Sequence, residues 1–590
     1  MQTLEDLGLI GNCQASALVA RDGSIVWCCL PRLDAEPLFA SLLDESRGGR
    51  FAIAPASGAP GVQRYLPNTN VLETRFEGSD GSFRVIDFFP RFVQHERTFR
   101  PTQLIRIVEP ISGTPRIHVQ CDPVLGWSQD LPRRQLGSHH VSFLGYGGEV
   151  RLTTDVPLSY LSTDSFALTS RKHFVLSFGQ PVEEPLAPLC ERFLANTVRY
   201  WQGWVKHCDV PPLYQHEVIR SALALKLHCF EDTGAIVAST TTSIPEAAGS
   251  GRCWDYRYCW LRDAYYTLGA FRLLGHFEER EQFLGFLVDV ASRTPDLDLK
   301  PLYRIDGRVD LDERVLDDWA GYRGEKPVRV GNQAAEHLQH DVFGEMVLAL
   351  LPMFVDERFA DQITPSLLDL VERLADKAIR VAGQPDAGIW EYRGTWRPQT
   401  FSTLMCWAAA DRAQRIAIRH RPARAEGFGR EAERIRQMIL TQAVDPQRNT
   451  LVADHGGKTM DAALLQAITL RLLPAEDPRM IATVDEVRRE LEIDGWLRRY
   501  SAPDDFGVPE VAFSLCTYWL VEALAITGRR DEARRVFERT RGMVVSPLGL
   551  LAEDVDPKNG TMWGNFPQAY SHAGVIHAAF AASPTWSEMG

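Results

Sequence analysis

The chain has 590 residues, 45% of them hydrophobic and 24% charged, with a formal net charge of −13. Such a length exceeds what one core usually fills, so two or more domains are expected, and the composition excludes wholesale disorder. The acidity excludes a nucleic-acid binder, which draws on clustered Lys and Arg, and a neutral partner fits better.

The first twenty residues open with acids rather than a basic stretch, and no apolar run reaches the length of a bilayer span. The expectation is a cytoplasmic protein without membrane contact. The eleven cysteines, from Cys13 to Cys516, are scattered without a CxxC pair. They read as buried thiols in a reducing compartment rather than as a disulfide frame or zinc site.

Up to about residue 185 the chain shows short apolar or alternating runs, such as 24–27, 85–89, 104–108 and 174–178, punctuated by Gly, Asp, Asn and Pro. This texture predicts an N-terminal antiparallel β-sandwich over 1–187. From about residue 190 apolar positions recur at three and four, first through 190–201, within a helical linker expected over 188–212, and then at Val218, Ala222 and Leu225, after which helices dominate. Residues 213–590 then carry roughly a dozen helical stretches, among them 263–274, 279–293, 341–351, 365–381, 402–419, 429–444, 462–472, 512–527 and 531–540.

The loops between these stretches carry the chemistry. Trp254 to Asp263 sets four aromatic rings beside Arg257, Arg262, Asp255 and Asp263. Pyranose rings stack their C–H faces on Trp and Tyr, while Asp and Arg grip the hydroxyls by charge-assisted bonds, so the segment reads as a sugar-binding wall. The competing reading is an amphipathic helix start with solvated charges. Two further glutamates stand out. Glu391 follows Trp390, whose ring offers a low-dielectric wall expected to raise a carboxyl pKa, and Glu553 lies in an acidic loop with Asp554 and Asp556.

Gly251-Arg252-Cys253 and the following Trp254 to Ala264 resemble the glucoamylase and trehalase-like enzymes of glycoside hydrolase family 15. The resemblance recurs at Ser243 to Glu246, Gly321 to Gly324, Pro327 to Arg329, Gly331-Asn332, Gly388 to Glu391 and Gly564 to His572. It extends to Gly8 to Asn12, Arg21 to Ile25 and Cys29 to Arg32 in the N-terminal domain of bacterial members, and so spans nearly the whole chain.

The resemblance implies that the helices close into an (α/α)6 barrel over 213–590. It implies an inverting, exo-acting α-glucoside hydrolase with Glu391 as general acid and Glu553 as general base, since inversion needs one protonated and one ionised carboxyl on opposite faces of the sugar. At the second position, Asp554 or Asp556 is the alternative working group. Tyr256, Trp260, Arg262 and Asp263 are carried over as the clamp on the non-reducing glucose, with Trp390 and Arg499 beside them. Asp255, Glu510, Arg329, Asn332 and His572 are further candidates for sugar contact or loop anchoring.

Fungal glucoamylases place a second acid directly after the general acid, whereas this chain has Tyr392, which puts a preference for long starch chains in doubt. No cofactor or metal is expected: Glu336 to His340 lacks the His-Glu-x-x-His order and a third ligand. The expected substrate is a small α-linked disaccharide or oligosaccharide of the maltose or isomaltose type, with trehalose as the alternative. An α-glucoside phosphorylase and a non-catalytic sugar-binding protein are the more distant readings, and homo-oligomerisation is left open.

Overall fold

The computed structural model describes residues 3–162, 164–543 and 546–589. Two antiparallel sheets form the N-terminal part. One contains Leu7–Gly11, Ser16–Ala20, Ser24–Cys29, Pro37–Phe39, Arg50–Pro55, Arg116–Asp122 and Phe166–Ala167. The other contains Val62–Tyr65, Leu72–Gly78, Gly81–Phe88, Gln103–Gly113, Arg133–Leu136, His140–Leu144, Val150–Thr154 and Lys172–Phe178.

The apolar character of 104–108, broken only by Arg106, has a structural cause. Leu104, Val108, Phe174 and Leu176 point into the sandwich core with Phe51 and Phe83, whereas Ile105, Ile107 and Val175 point the other way, against Leu189 and Phe193 of helix α1 (Leu186–Lys206). Successive side chains alternate in direction, so a strand covered on both faces reads as continuously hydrophobic. Arg106 is the polar exception on the inner face. It pairs with Asp87 at 2.7 Å and donates to the carbonyls of Phe51 and Gly23 on the facing sheet, leaving the buried guanidinium compensated.

Twelve further helices follow: α2 (Gln215–His228), α3 (Leu261–Leu273), α4 (Glu278–Ser292), α5 (Asp341–Val355), α6 (Pro365–Val381), α7 (Thr400–His420), α8 (Pro422–Gln442), α9 (Gln466–Thr469), α10 (Pro478–Leu491), α11 (Ser514–Ile526), α12 (Arg530–Met543) and α13 (Ala569–Ala582). Packing of α3 on α5, α5 on α7, α7 on the turn Ala462–Leu465 leading into α9, α9 on α11, α11 on α13 and α13 back on α3 closes an inner ring. The even-numbered helices lie outside it, giving the (α/α)6 barrel.

The sequence divides the helices accordingly. Inner α5 buries eleven of its residues from Asp341 to Phe354, whereas outer α6 buries only Leu367, Leu370, Val371, Leu374, Ala375 and Ala378, an i, i+3, i+4 stripe. Two elements differ from the periodicity. The stretch 462–472 is a 3-10 turn and one turn of α-helix, because the Asp461 side chain caps Ala463 N at the start and Arg471 turns left-handed (φ 62°) at the end. Helix α8 starts at Pro422, seven residues before the apolar pattern begins, because proline suits the first helical position.

The sandwich braces the barrel. Trp27 Nε1 donates to Thr240 O at 2.7 Å, and Arg257 Nη1 donates to Ala35 O at 2.6 Å, anchoring the aromatic segment 254–263 from below.

Candidate active site

The N-terminal ends of the inner helices, and the loops that enter them, surround one pocket. Its lining contains all eight residues singled out from sequence: Tyr256, Trp260, Arg262, Asp263, Trp390, Glu391, Arg499 and Glu553. The lining residues fall between 238 and 570, so the sandwich adds none among the described residues.

Arg262 and Asp263 occupy the first turn of α3, and Tyr570 the first turn of α13. Arg262 is fully engaged: Nε donates to Tyr570 Oη at 2.5 Å, Nη1 to Gln339 Oε1 at 2.8 Å and Nη2 to Glu391 Oε1 at 3.0 Å. The same Glu391 oxygen accepts Trp260 Nε1 at 2.7 Å and Gln339 Nε2 at 3.2 Å. Three donors therefore converge on Oε1. The loop presenting this carboxylate holds Glu391 at φ 60°, a left-handed conformation unusual for a non-glycine residue and common where a side chain is aimed at a functional site.

This geometry corrects the sequence reading of Trp390. Its indole packs against Tyr500, Phe513 and Trp519 and donates to Asp461 Oδ2 at 3.1 Å. Burial does push the Glu391 pKa up, but the positive charge of Arg262, the neighbouring His337 ring and the Trp260 bond together hold it below the ordinary glutamate value. The charges beside the carboxylate outweigh the aromatic wall.

Glu553 lies opposite in electrostatic character. It precedes the short strand Asp554–Val555, which pairs with Ala512–Phe513 and Met562–Trp563, and its carbonyl accepts Ser514 N at 3.0 Å. Gly564 makes this packing possible: a Cβ there would lie 2.7 Å from Glu553 Cβ, and its φ of 80° suits glycine. Glu553 Oε2 has no hydrogen-bond partner, and Tyr256 lies beside the carboxyl. Burial first, then the adjacent Glu246, raises the Glu553 pKa to about 8 against the pull of Arg499. Asp554, also buried, is pushed well above its usual value by burial and by Glu553. Tyr256 senses Glu553, Glu246 and Glu391 together, which places it between the two catalytic candidates.

Arg499 is bound to Glu246, whose Oε1 also accepts Trp254 Nε1 at 3.1 Å. The mouth is walled by Arg252, paired with Asp504, and by Arg393. The latter lies 4.4 Å above Trp254 and bonds Glu313 at 2.9 Å, while its backbone N donates to Asp505 at 2.7 Å.

Of the further candidates, only Asn332 lines the pocket, and its side chain caps the turn at Ala334. Asp255 grips Arg257 and Tyr258, Arg329 donates to the carbonyls of Gly251 and Cys253, and His572 is buried between Ser221 Oγ and Leu551 N. Glu510 is exposed away from the lining, and Asp556 caps its own turn at Lys558. Sequence reasoning did not single out Glu246, Gln339, His337 or Tyr570 as site residues. Glu246 and Tyr570 sat inside the recognised motifs, so the signal was present, but their roles depend on which carboxylate or guanidinium they meet across the fold.

The family model for glycosyl hydrolases family 15 matches residues 213–580, and the model for the trehalase-like N-terminal domain matches residues 1–142. The chain belongs to glycoside hydrolase family 15. It is a glycoside hydrolase. A trehalase of Thermoplasma volcanium is 33% identical over 97% of this chain and 92% of its own. A trehalase of Thermoplasma acidophilum is 34% identical over 95% and 97%, and one of Mycolicibacterium smegmatis is 32% identical over 98% and 90%. Among solved structures, a bacterial glucoamylase complexed with acarbose superposes with a TM-score of 0.68 over 98% of this chain and 94% of its own, at 15% identity. That last likeness is one of fold.

Proposed function

We propose that the protein hydrolyses α,α-trehalose with inversion, releasing glucose from a terminal α-glucosyl unit. The maltose and isomaltose types favoured from sequence become the alternatives. The observation that carries this reading is the end-to-end similarity to trehalases, which spans both the sandwich and the barrel. A pocket walled by Arg252–Asp504 and Arg393–Asp505 suits one further sugar better than a continuing chain.

In this reading Arg262 and Asp263, with Trp260 and Tyr256, hold the glucosyl unit. Glu391 protonates the leaving oxygen and Glu553 activates water on the opposite face. The Glu391 side chain is 20% exposed in the free protein. A bound sugar strips that remaining solvent and raises its pKa toward the protonated form the role needs. The free-site electrostatics favour a second reading with the roles exchanged, since burial and mutual repulsion favour the protonated form at Glu553 and Asp554, whereas Glu391 is held below its ordinary value.

The deciding experiment is glucose release from trehalose, maltose and isomaltose by the purified protein. A kcat/KM for trehalose at least tenfold above the others is expected; a preference for maltose or isomaltose overturns the trehalose assignment while leaving the hydrolase intact.

A further inference from the structure

The barrel has a second mouth. Opposite the catalytic pocket, the C-terminal halves of α3 and α5 and the facing parts of α7, α9, α11 and α13 enclose a cavity of about 780 Å³. Five arginines line it, Arg272, Arg280, Arg358, Arg412 and Arg415, against two carboxylates, Asp356 and Glu522, the latter 3.5 Å from His577. Three are paired locally. Arg358 forms a bidentate pair with Asp356, and Arg412 and Arg415 share Asp411 at 2.8 and 3.0 Å.

The other two have no ion-pair partner among the described residues. Arg272 is exposed at the rim. Arg280 is only 3% exposed and donates Nη2 to Leu268 O at 3.2 Å, while Nε and Nη1 have no partner. Burial, reinforced by Arg272, lowers the Arg280 pKa to about 10. A buried guanidinium with two unfilled donors costs stability unless an anion or ordered water meets it.

The cavity offers more than charge. Tyr266 Oη, Gln466 Nε2 and Thr469 Oγ1 line it or reach its wall and are likewise buried without partners, and Phe277, Leu348 and Val355 form an apolar side. A space this large with a cationic end, three polar groups and an apolar wall suits an anion that carries a hydroxylated body rather than a bare oxyanion.

We propose that this second mouth is a binding site for a small hydroxylated organic phosphate, with the phosphate on Arg280 and Arg272 and the hydroxyls toward Tyr266, Gln466 and Thr469. The site is separate from the catalytic pocket and does not depend on which α-glucoside is cleaved there.

Isothermal titration calorimetry with glucose 6-phosphate, inorganic phosphate and glucose tests it on the intact protein. Saturable binding of one glucose 6-phosphate per chain is expected, weakened at least tenfold in Arg280→Gln, weakened further by added salt, and unchanged in Glu391→Gln. Arg272→Gln, at an exposed rim position, should weaken binding several-fold and keeps the test decisive if Arg280→Gln fails to fold. Absence of saturable binding, or binding unaltered in both arginine variants, overturns the proposal, as does loss of binding in Glu391→Gln, which would place the ligand in the catalytic pocket. Equal binding of inorganic phosphate overturns the organic-body requirement, and equal binding of glucose overturns the role of charge.

Discussion

Arg262 Nη2 and Glu391 Oε1 are 3.0 Å apart, and this one ion pair ties the proposed sugar clamp to the proposed catalytic carboxyl. Arg262 is also the largest influence opposing the upward push of burial on the Glu391 pKa. Arg262→Ala should therefore do two things. It should lower kcat/KM by roughly tenfold to several hundredfold, the cost of an unpaired buried polar partner, and it should move the acid limb of the pH profile upward because Glu391 loses its stabilising cation. A pH–rate profile with an unmoved acid limb would limit Arg262 to substrate binding.

Glu391→Gln and Glu553→Gln should each reduce hydrolysis by on the order of 10²- to 10⁴-fold while the protein stays folded, since the amide is isosteric but carries no transferable proton. Only the variant that lacks the general acid should regain activity on α-glucosyl fluoride, whose leaving group needs no protonation. Recovery in Glu391→Gln supports the proposed roles, and recovery in Glu553→Gln supports the exchanged ones.

Glu246 raises the Glu553 pKa and binds Arg499. Removing its charge in Glu246→Gln both deletes a repelling carboxylate and frees the guanidinium, and both effects lower the Glu553 pKa. The alkaline limb of kcat/KM, expected near pH 8 in the wild type, should move to lower pH; an upward shift would contradict the placement of Glu246 beside Glu553.

Trehalose should release α- and β-glucose in equal amounts, read by proton NMR before mutarotation, because the attacked anomeric carbon inverts to β while the leaving glucose keeps its own α configuration. Inverting enzymes hold their carboxyls about 6.5 to 9.5 Å apart with room for water, whereas retaining ones close to about 5 to 5.5 Å. Initial release of α-glucose alone would show retention and remove the two-glutamate assignment.

Stability should depend on pH with a defined sign. Burial raises the pKa of Asp263 to about 7, Asp341 to about 6, Asp386 to about 7, Asp461 to about 6 and Glu553 to about 8. Between the unfolded values near 4 and these folded values the native chain holds more protons, so stability falls as pH rises through that window. Glu231 acts oppositely: burial pushes its pKa up, but Lys226 and Arg91 prevail and hold it at about 2, so its contribution is lost as pH falls below about 4.5. Thermal melts should peak near pH 5 and decline toward pH 8.5; a Tm that rises over pH 5 to 8 would contradict the burial of these carboxyls.

The amino-acid sequence by itself determined the kinds of element and their order. The short apolar run at 174–178 and the three–four spacing from residue 190 are local properties, fixed by which faces of a strand or helix must leave water. It also determined the chemistry on offer, because Trp254 to Asp263, Glu391 and Glu553 combine residue types that few structural roles require together. The tertiary structure alone decided the electrical state of those groups. Trp390 beside Glu391 in the chain suggested a raised pKa, but Arg262, 129 positions away in the sequence, reaches the same oxygen and reverses the direction. Likewise Glu553 meets Glu246 and Arg499 only because the inner helices close into a ring. Coulomb interactions depend on distances through space, and those distances are set by the fold rather than by position along the chain.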